Sequence, residues 1–67
     1  AREIIGVLRR DDWYEVASSG GHLQFKRSQK SGRVTVPVHS RGDITREILA
    51  NILVQAGLTR ERFLELL

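Results

Sequence analysis

The apolar residues near the start of the chain, Ile4, Ile5, Val7 and Leu8, recur at the spacing of one helical stripe, and the polar run from Arg9 to Asp12 breaks it. This predicts a helix over residues 2–11. Residues 13–18, WYEVAS, are aromatic and β-branched at their start and run into Ser-Ser-Gly-Gly, the pattern of a strand and a loop. Two alternating segments follow. In HLQFKR (22–27) Leu23 and Phe25 face one way and His22, Gln24 and Lys26 the other; in RVTVPV (33–38) Val34, Val36 and Val38 oppose Arg33, Thr35, Pro37 and the following His39. Between them SQKSG has the composition of a turn, with Gly32 able to take a positive φ.

The alternation limits how these strands pair. Both apolar sets share a face only if Phe25 stands opposite Val36 or Val34, because a one-residue slip would turn the valines to solvent. The first of these registers would set His22 opposite His39. Pro37 has no N–H to give to a ladder, so the third strand is expected at an edge, ending nearby. Ile44, Ile48, Leu49, Ile52, Leu53 and Ala56 predict a second amphipathic helix over residues 44–56, with Asp43 as N-cap, Gly57 at the C′ position and Leu58 closing back on Leu53. Thr59 is expected to cap a last segment containing Phe63, Leu64 and Leu67. The order is αβββα with a short C-terminal helix. That is an α+β fold: a three-stranded antiparallel sheet with both long helices on its Leu23/Phe25/Val34/Val36 face, and the polar face left open.

At 67 residues the chain is expected to form one domain, 1–67, since so short a chain buries only about 60% of its unfolded surface and cannot divide its apolar residues between two cores. Function is then confined to the surface or a shallow groove. There is no cysteine, hence no disulfide framework and no thiolate metal site. Two histidines 17 positions apart lack zinc-ligand spacing, so neither a metal nor another cofactor is expected. No apolar run nears the roughly 20 residues of a membrane span, and no signal-peptide pattern opens the chain. The expectation is a soluble, cytoplasmic protein without a membrane partner.

Charge sharpens the picture. The net charge is +3, yet residues 16–42 hold no Asp or Glu while Lys26, Arg27, Lys30, Arg33 and Arg41 carry +5, and both histidines fall in the same window. Such a concentration favours a polyanion, of which nucleic acid is the commonest. An imidazole can take a proton from a ribose 2′-OH or give one to a leaving 5′ oxygen, which is what metal-free RNA cleavage needs. His22 is placed for that role, with Lys26, Arg33 and Arg41 to hold the phosphate and Gly20 and Gly21 to offer backbone N–H groups to it. His39, following Pro37 at a strand end, invites the same argument, or serves only to bind a phosphate or cap the loop. On the residues alone, a surface histidine on a solvated basic hairpin is the other reading. A serine-type triad is disfavoured by the missing acid, and there is no GxxxxGK[ST] loop.

GGHLQFKR (20–27), GRVTVPVHSRGDI (32–44) and REILANILVQAGL (46–58), in that order, resemble the HicA toxins, small mRNA-interferase partners of HicB antitoxins in bacterial type II toxin–antitoxin systems. The family pattern has a helix, a strand beginning Gly-Trp, Gly-Ser-His ahead of an apolar strand, a VPxH strand end and a helix closing on ILxQAGL. The match runs from about Glu3 to Leu58. It implies a fold similar to the double-stranded RNA-binding domain, metal-independent endoribonuclease activity on mRNA with His22 catalytic, and a HicB-like antitoxin covering the His22 face. The chain departs from the pattern at Gly21, where the family has Ser, and at Asp12, where Gly usually precedes the Trp; Asp can still adopt the left-handed conformation at some cost.

Three functions follow. The leading expectation is an RNA-cleaving toxin with His22 as general acid or base and an RNA-binding surface of Gly20, Gly21, Gln24, Lys26, Arg33, Thr35, His39 and Arg41. The second is a noncatalytic RNA-binding module using the same face. In the third, the basic face chiefly docks an acidic protein.

Overall fold

The computed structural model describes residues 2–38 and 44–67. Helix α1 (Arg2–Arg10) leads into strands β1 (Tyr14–Ser19), β2 (His22–Arg27) and β3 (Lys30–Pro37), followed by helices α2 (Arg46–Ala56) and α3 (Arg60–Leu66). The strands form one antiparallel sheet in the order β1-β2-β3, so the element order and the α+β class are those expected. Phe25, Val34 and Val36 are fully buried from the sheet side, against Ile4 and Leu8 of α1, Ile52 and Ala56 of α2, and Trp13. Each large apolar side chain buried this way contributes roughly 1.5–3 kcal/mol. No helix among the described residues is long and apolar enough to cross a membrane.

Both long helices end in the same way. Trp13 N–H donates to Leu8 O at 2.9 Å and Asp12 N–H to Arg9 O at 3.1 Å; Leu58 N–H donates to Leu53 O at 2.9 Å and Gly57 N–H to Val54 O at 3.1 Å. These are the paired bonds of a Schellman closure, which needs a left-handed residue at C′. Gly57 supplies it at φ 67°, and Asp12 does so at φ 71°, the one described non-glycine residue with a positive φ. The start of α2 differs from expectation. Thr45, not Asp43, is the N-cap, its Oγ1 accepting from Ile48 N–H at 3.2 Å; Asp43 lies outside the described residues. The helix therefore begins two residues later, and Ile44 becomes the apolar residue ahead of the cap, where it packs against the core. Thr59 caps α3 as expected, and Arg10 of α1 donates to Leu66 O at 2.9 Å, tying α3 to α1.

The β1–β2 turn is two residues, Gly20 and Gly21, with φ 58° and 80°, the double positive φ of a type I′ hairpin turn. The β2–β3 turn is also two residues, Ser28 and Gln29, because β3 starts at Lys30 and not at Arg33. Neither turn residue has a positive φ. The misfit with strand twist is taken up in the strand: residues 31–33 stand against Lys26 alone, and Gly32 at φ 81° makes this bulge and not the turn. Beyond it Phe25 faces Val34, the second of the two allowed registers, so His22 faces Pro37. β3 is an edge strand, as Pro37 requires, and Gln55 Oε1 accepts the backbone N–H of Thr35 at 2.9 Å, covering one donor of that edge.

Candidate functional site

His22 opens the middle strand, between Ser19 of β1 and Pro37 of β3, directly after the diglycine turn. Its ring is half-buried, on the sheet face away from the helices, and Nδ1 lies 3.3 Å from Gly20 O. An Nδ1–H donated to that carbonyl would put the ring's acceptor lone pair on Nε2. Val38 N–H donates to Gly21 O at 2.6 Å, so the end of β3 clamps the turn that aims the histidine. A Cβ added at Gly20 would meet nothing within 4 Å; glycine is required there for its φ, not for space.

Gln24 and Lys26 follow on the same face at intervals of about 7 Å. Thr35 faces Gln24 from β3. Arg33 reaches back across the strands and donates to Gln24 Oε1 at 2.6 Å, which holds its guanidinium over the open face. Thus Gly20, Gly21, His22, Gln24, Lys26, Arg33 and Thr35 come together on one surface, while His39 and Arg41 lie outside the described residues.

The positive charge is shared differently from what the sequence suggests. Arg27 belongs to the Phe25 side of β2: its guanidinium lies 3.5 Å from Asp11 Oδ2 and 3.8 Å from Asp12 Oδ2. Asp11 is only 8% exposed and also accepts Trp13 Nε1–H at 3.1 Å, so the pair secures the end of α1. Lys30 turns to the helix layer, donating to Ala56 O at 2.6 Å and standing 5.7 Å from the centre of the Trp13 ring. There it neutralises the negative C-terminal end of α2. Two of the five central cations thus serve the fold, and of the described ones Lys26 and Arg33 serve the open face. Arg27 shares the parity of Phe25 in the sequence, which signals its side; nothing local signals the acceptor that Lys30 finds 26 residues away.

On β1, Ser19 faces His22 and Ala17 faces Gln24, but Tyr14 and not Glu15 faces Lys26, because Val16 is an extra, bulged residue. The bulge lets Trp13 enter the core and sets Tyr14 on the open face. Among the described residues no group of three or more His, Cys, Asp or Glu is gathered to hold a metal ion.

A protein-family model described as the HicA toxin of bacterial toxin–antitoxin matches residues 1–58, which include the whole sheet, the diglycine turn and both long helices. The chain belongs to the HicA toxin family. It is therefore a toxin of a toxin–antitoxin system, with a cognate antitoxin as partner. No curated protein matches it closely enough to count as a relative. The matched span stops at Leu58, so α3, whose Phe63 packs on the core, lies beyond the part this HicA toxin shares with the family model.

Proposed function

We propose that this HicA-family toxin is an endoribonuclease that cuts mRNA with His22 as its acid–base group, without a metal, and that a HicB-like antitoxin neutralises it by covering the His22 face. The observation that carries the reading is the position of His22: at the head of the central strand, beside the diglycine turn, on a face where Gln24 pairs with Thr35, Lys26 follows on the same strand, Arg33 donates to Gln24, and no carboxylate stands at the register positions of the described residues.

The chemistry suits one imidazole. The substrate's own 2′-OH attacks the adjacent phosphorus; the O2′–P bond forms, the P–O5′ bond breaks, and the products are a 2′,3′-cyclic phosphate and a 5′-hydroxyl. His22 takes the proton from O2′ or delivers one to O5′, and water serves the other oxygen. Arg33, held by Gln24, and Lys26 offset the charge that grows on the phosphoryl oxygens. Gly21 carries no hydroxyl, so substrate orientation falls to the backbone of the turn and to these side chains.

Induced expression of the parent beside His22→Ala, with mapping of RNA 5′ ends, tests this. The parent should arrest growth and generate new 5′-hydroxyl ends, and removal of the imidazole should lower cleavage by about 100-fold or more. Equal cleavage by both proteins would overturn the assignment. RNA retained by the parent without any new ends would make the protein a binding module.

A further inference from the structure

Four aromatic side chains occur in the chain, and three of them, Trp13, Phe25 and Phe63, pack into the core or against it. The fourth, Tyr14, is 50% exposed. Its place is set by the Val16 bulge, which puts it directly opposite Lys26 on the same face as His22 and Gln24. Four residues along β2 at about 3.4 Å each place Lys26, and Tyr14 beside it, about 14 Å from His22. That distance exceeds one nucleotide step. The ring is therefore too far away to touch the reacting ribose, but it stands beside the far end of the row His22, Gln24, Lys26 on β2, which Arg33 joins from β3 through Gln24.

We infer that Tyr14 is a stacking platform for a nucleobase near the cleaved step, so that a single-stranded segment of the substrate lies along β2 with its scissile phosphate at His22 and a base about two nucleotides away on the Tyr14 ring. The inference rests on the ribonuclease reading above. A single strand is required because a base inside a duplex presents no open face to a ring on a flat sheet, whereas an unpaired base does. Lys26, across the strand pair from Tyr14, supplies the cation for the adjoining phosphate. The surroundings favour a base over a protein side chain. A protein anchor usually fills an apolar, desolvated pocket, and the register neighbours of Tyr14 on this face are Lys26, Gln24 and Ala17.

The test measures binding of short single-stranded RNA to the full chain carrying His22→Ala, with Tyr14 otherwise intact or changed to Ala or Phe. Tyr14→Ala should raise Kd by about 10-fold, and Tyr14→Phe, which keeps the π-face, by less than about 3-fold. Thermal melts of each variant check that the fold is retained. Oligonucleotides with one abasic position stepped along the strand give the readout that a merely structural role would not move. The Tyr14-containing protein should lose affinity at one position, and Tyr14→Ala should be indifferent there. Unchanged affinity in Tyr14→Ala, or an abasic profile that the substitution does not alter, would overturn the inference while leaving the nuclease reading intact. Loss of antitoxin affinity alone would assign the ring to the protein interface and overturn it equally. If the Tyr14-containing protein binds no RNA, both readings fall together.

Discussion

Arg33 donates to Gln24 Oε1 at 2.6 Å across the β2–β3 pair, which converts a long flexible cation into one held over the same face as His22. On the proposed ribonuclease reading, Gln24 acts by positioning Arg33 and Arg33 by meeting phosphate. Removing the charge with Arg33→Ala should weaken RNA binding and reduce the slope of log K against log salt by about 1. Gln24→Ala should weaken binding less and leave that slope unchanged, because the charge is still present and only its placement is lost. Salt titrations of both variants separate the two roles.

Lys26 and Lys30 sit four residues apart and should behave oppositely. Lys30→Met removes the donor to Ala56 O and the positive charge at the end of α2, and is expected to cost about 1 kcal/mol of stability while leaving RNA affinity within about 2-fold. Lys26→Met should leave the unfolding midpoint in place and weaken RNA binding several-fold. Urea unfolding alongside filter binding of the two variants is the measurement. A drop in RNA affinity with Lys30→Met would mean that the charge on the helix side also reaches the substrate.

The end of α1 offers two neighbouring acids with opposite expected effects. Asp11→Ala strips a buried acceptor from Trp13 Nε1 and a partner from Arg27, and should destabilise the fold by about 1–3 kcal/mol. Asp12→Gly relieves a non-glycine residue at φ 71° in a Schellman closure and should stabilise by roughly 0.5–1 kcal/mol. The ion pair forgone is weak, since the Asp12 side chain is 82% exposed and 3.8 Å from Arg27. Chemical denaturation curves of both variants, compared at equal slope, check the pair of signs.

Most of the fold was legible because its signals are local. The Ile4/Val7/Leu8 stripe, the alternation in 22–27 and 34–38, the paired glycines, Gly57 and Thr59 each announce an element or its end within a few residues. The misreadings have one kind of cause. Ser28-Gln29 is an unremarkable dipeptide for a tight turn, and Gly32 is the better turn residue by type; only pairing Arg27 with Lys30 shows that the glycine relaxes a bulge instead. Asp43 ranks above Thr45 as a cap by type, and what makes Thr45 the cap is where the helix begins, with Ile48 N–H three residues on from its hydroxyl. For the site, parity along β2 was enough to group His22 with Gln24 and Lys26. Parity along β1 was not, because Val16 shifts it by one.

By itself the sequence determined a small αβββα domain with one apolar sheet face, a histidine behind a diglycine turn on the other, and membership of a toxin family, because hydrophobic period, glycine conformation and motif spacing are properties of short stretches. Tertiary structure decided how the charge is divided and which aromatic faces water. Arg27 and Lys30 find their partners just past the end of α1 and at the end of α2, and the bulge at Val16 sends Tyr14 out as Trp13 goes in. These outcomes depend on contacts between segments far apart in the chain, where burial of Trp13 and satisfaction of helix ends outweigh the local preference of any single residue.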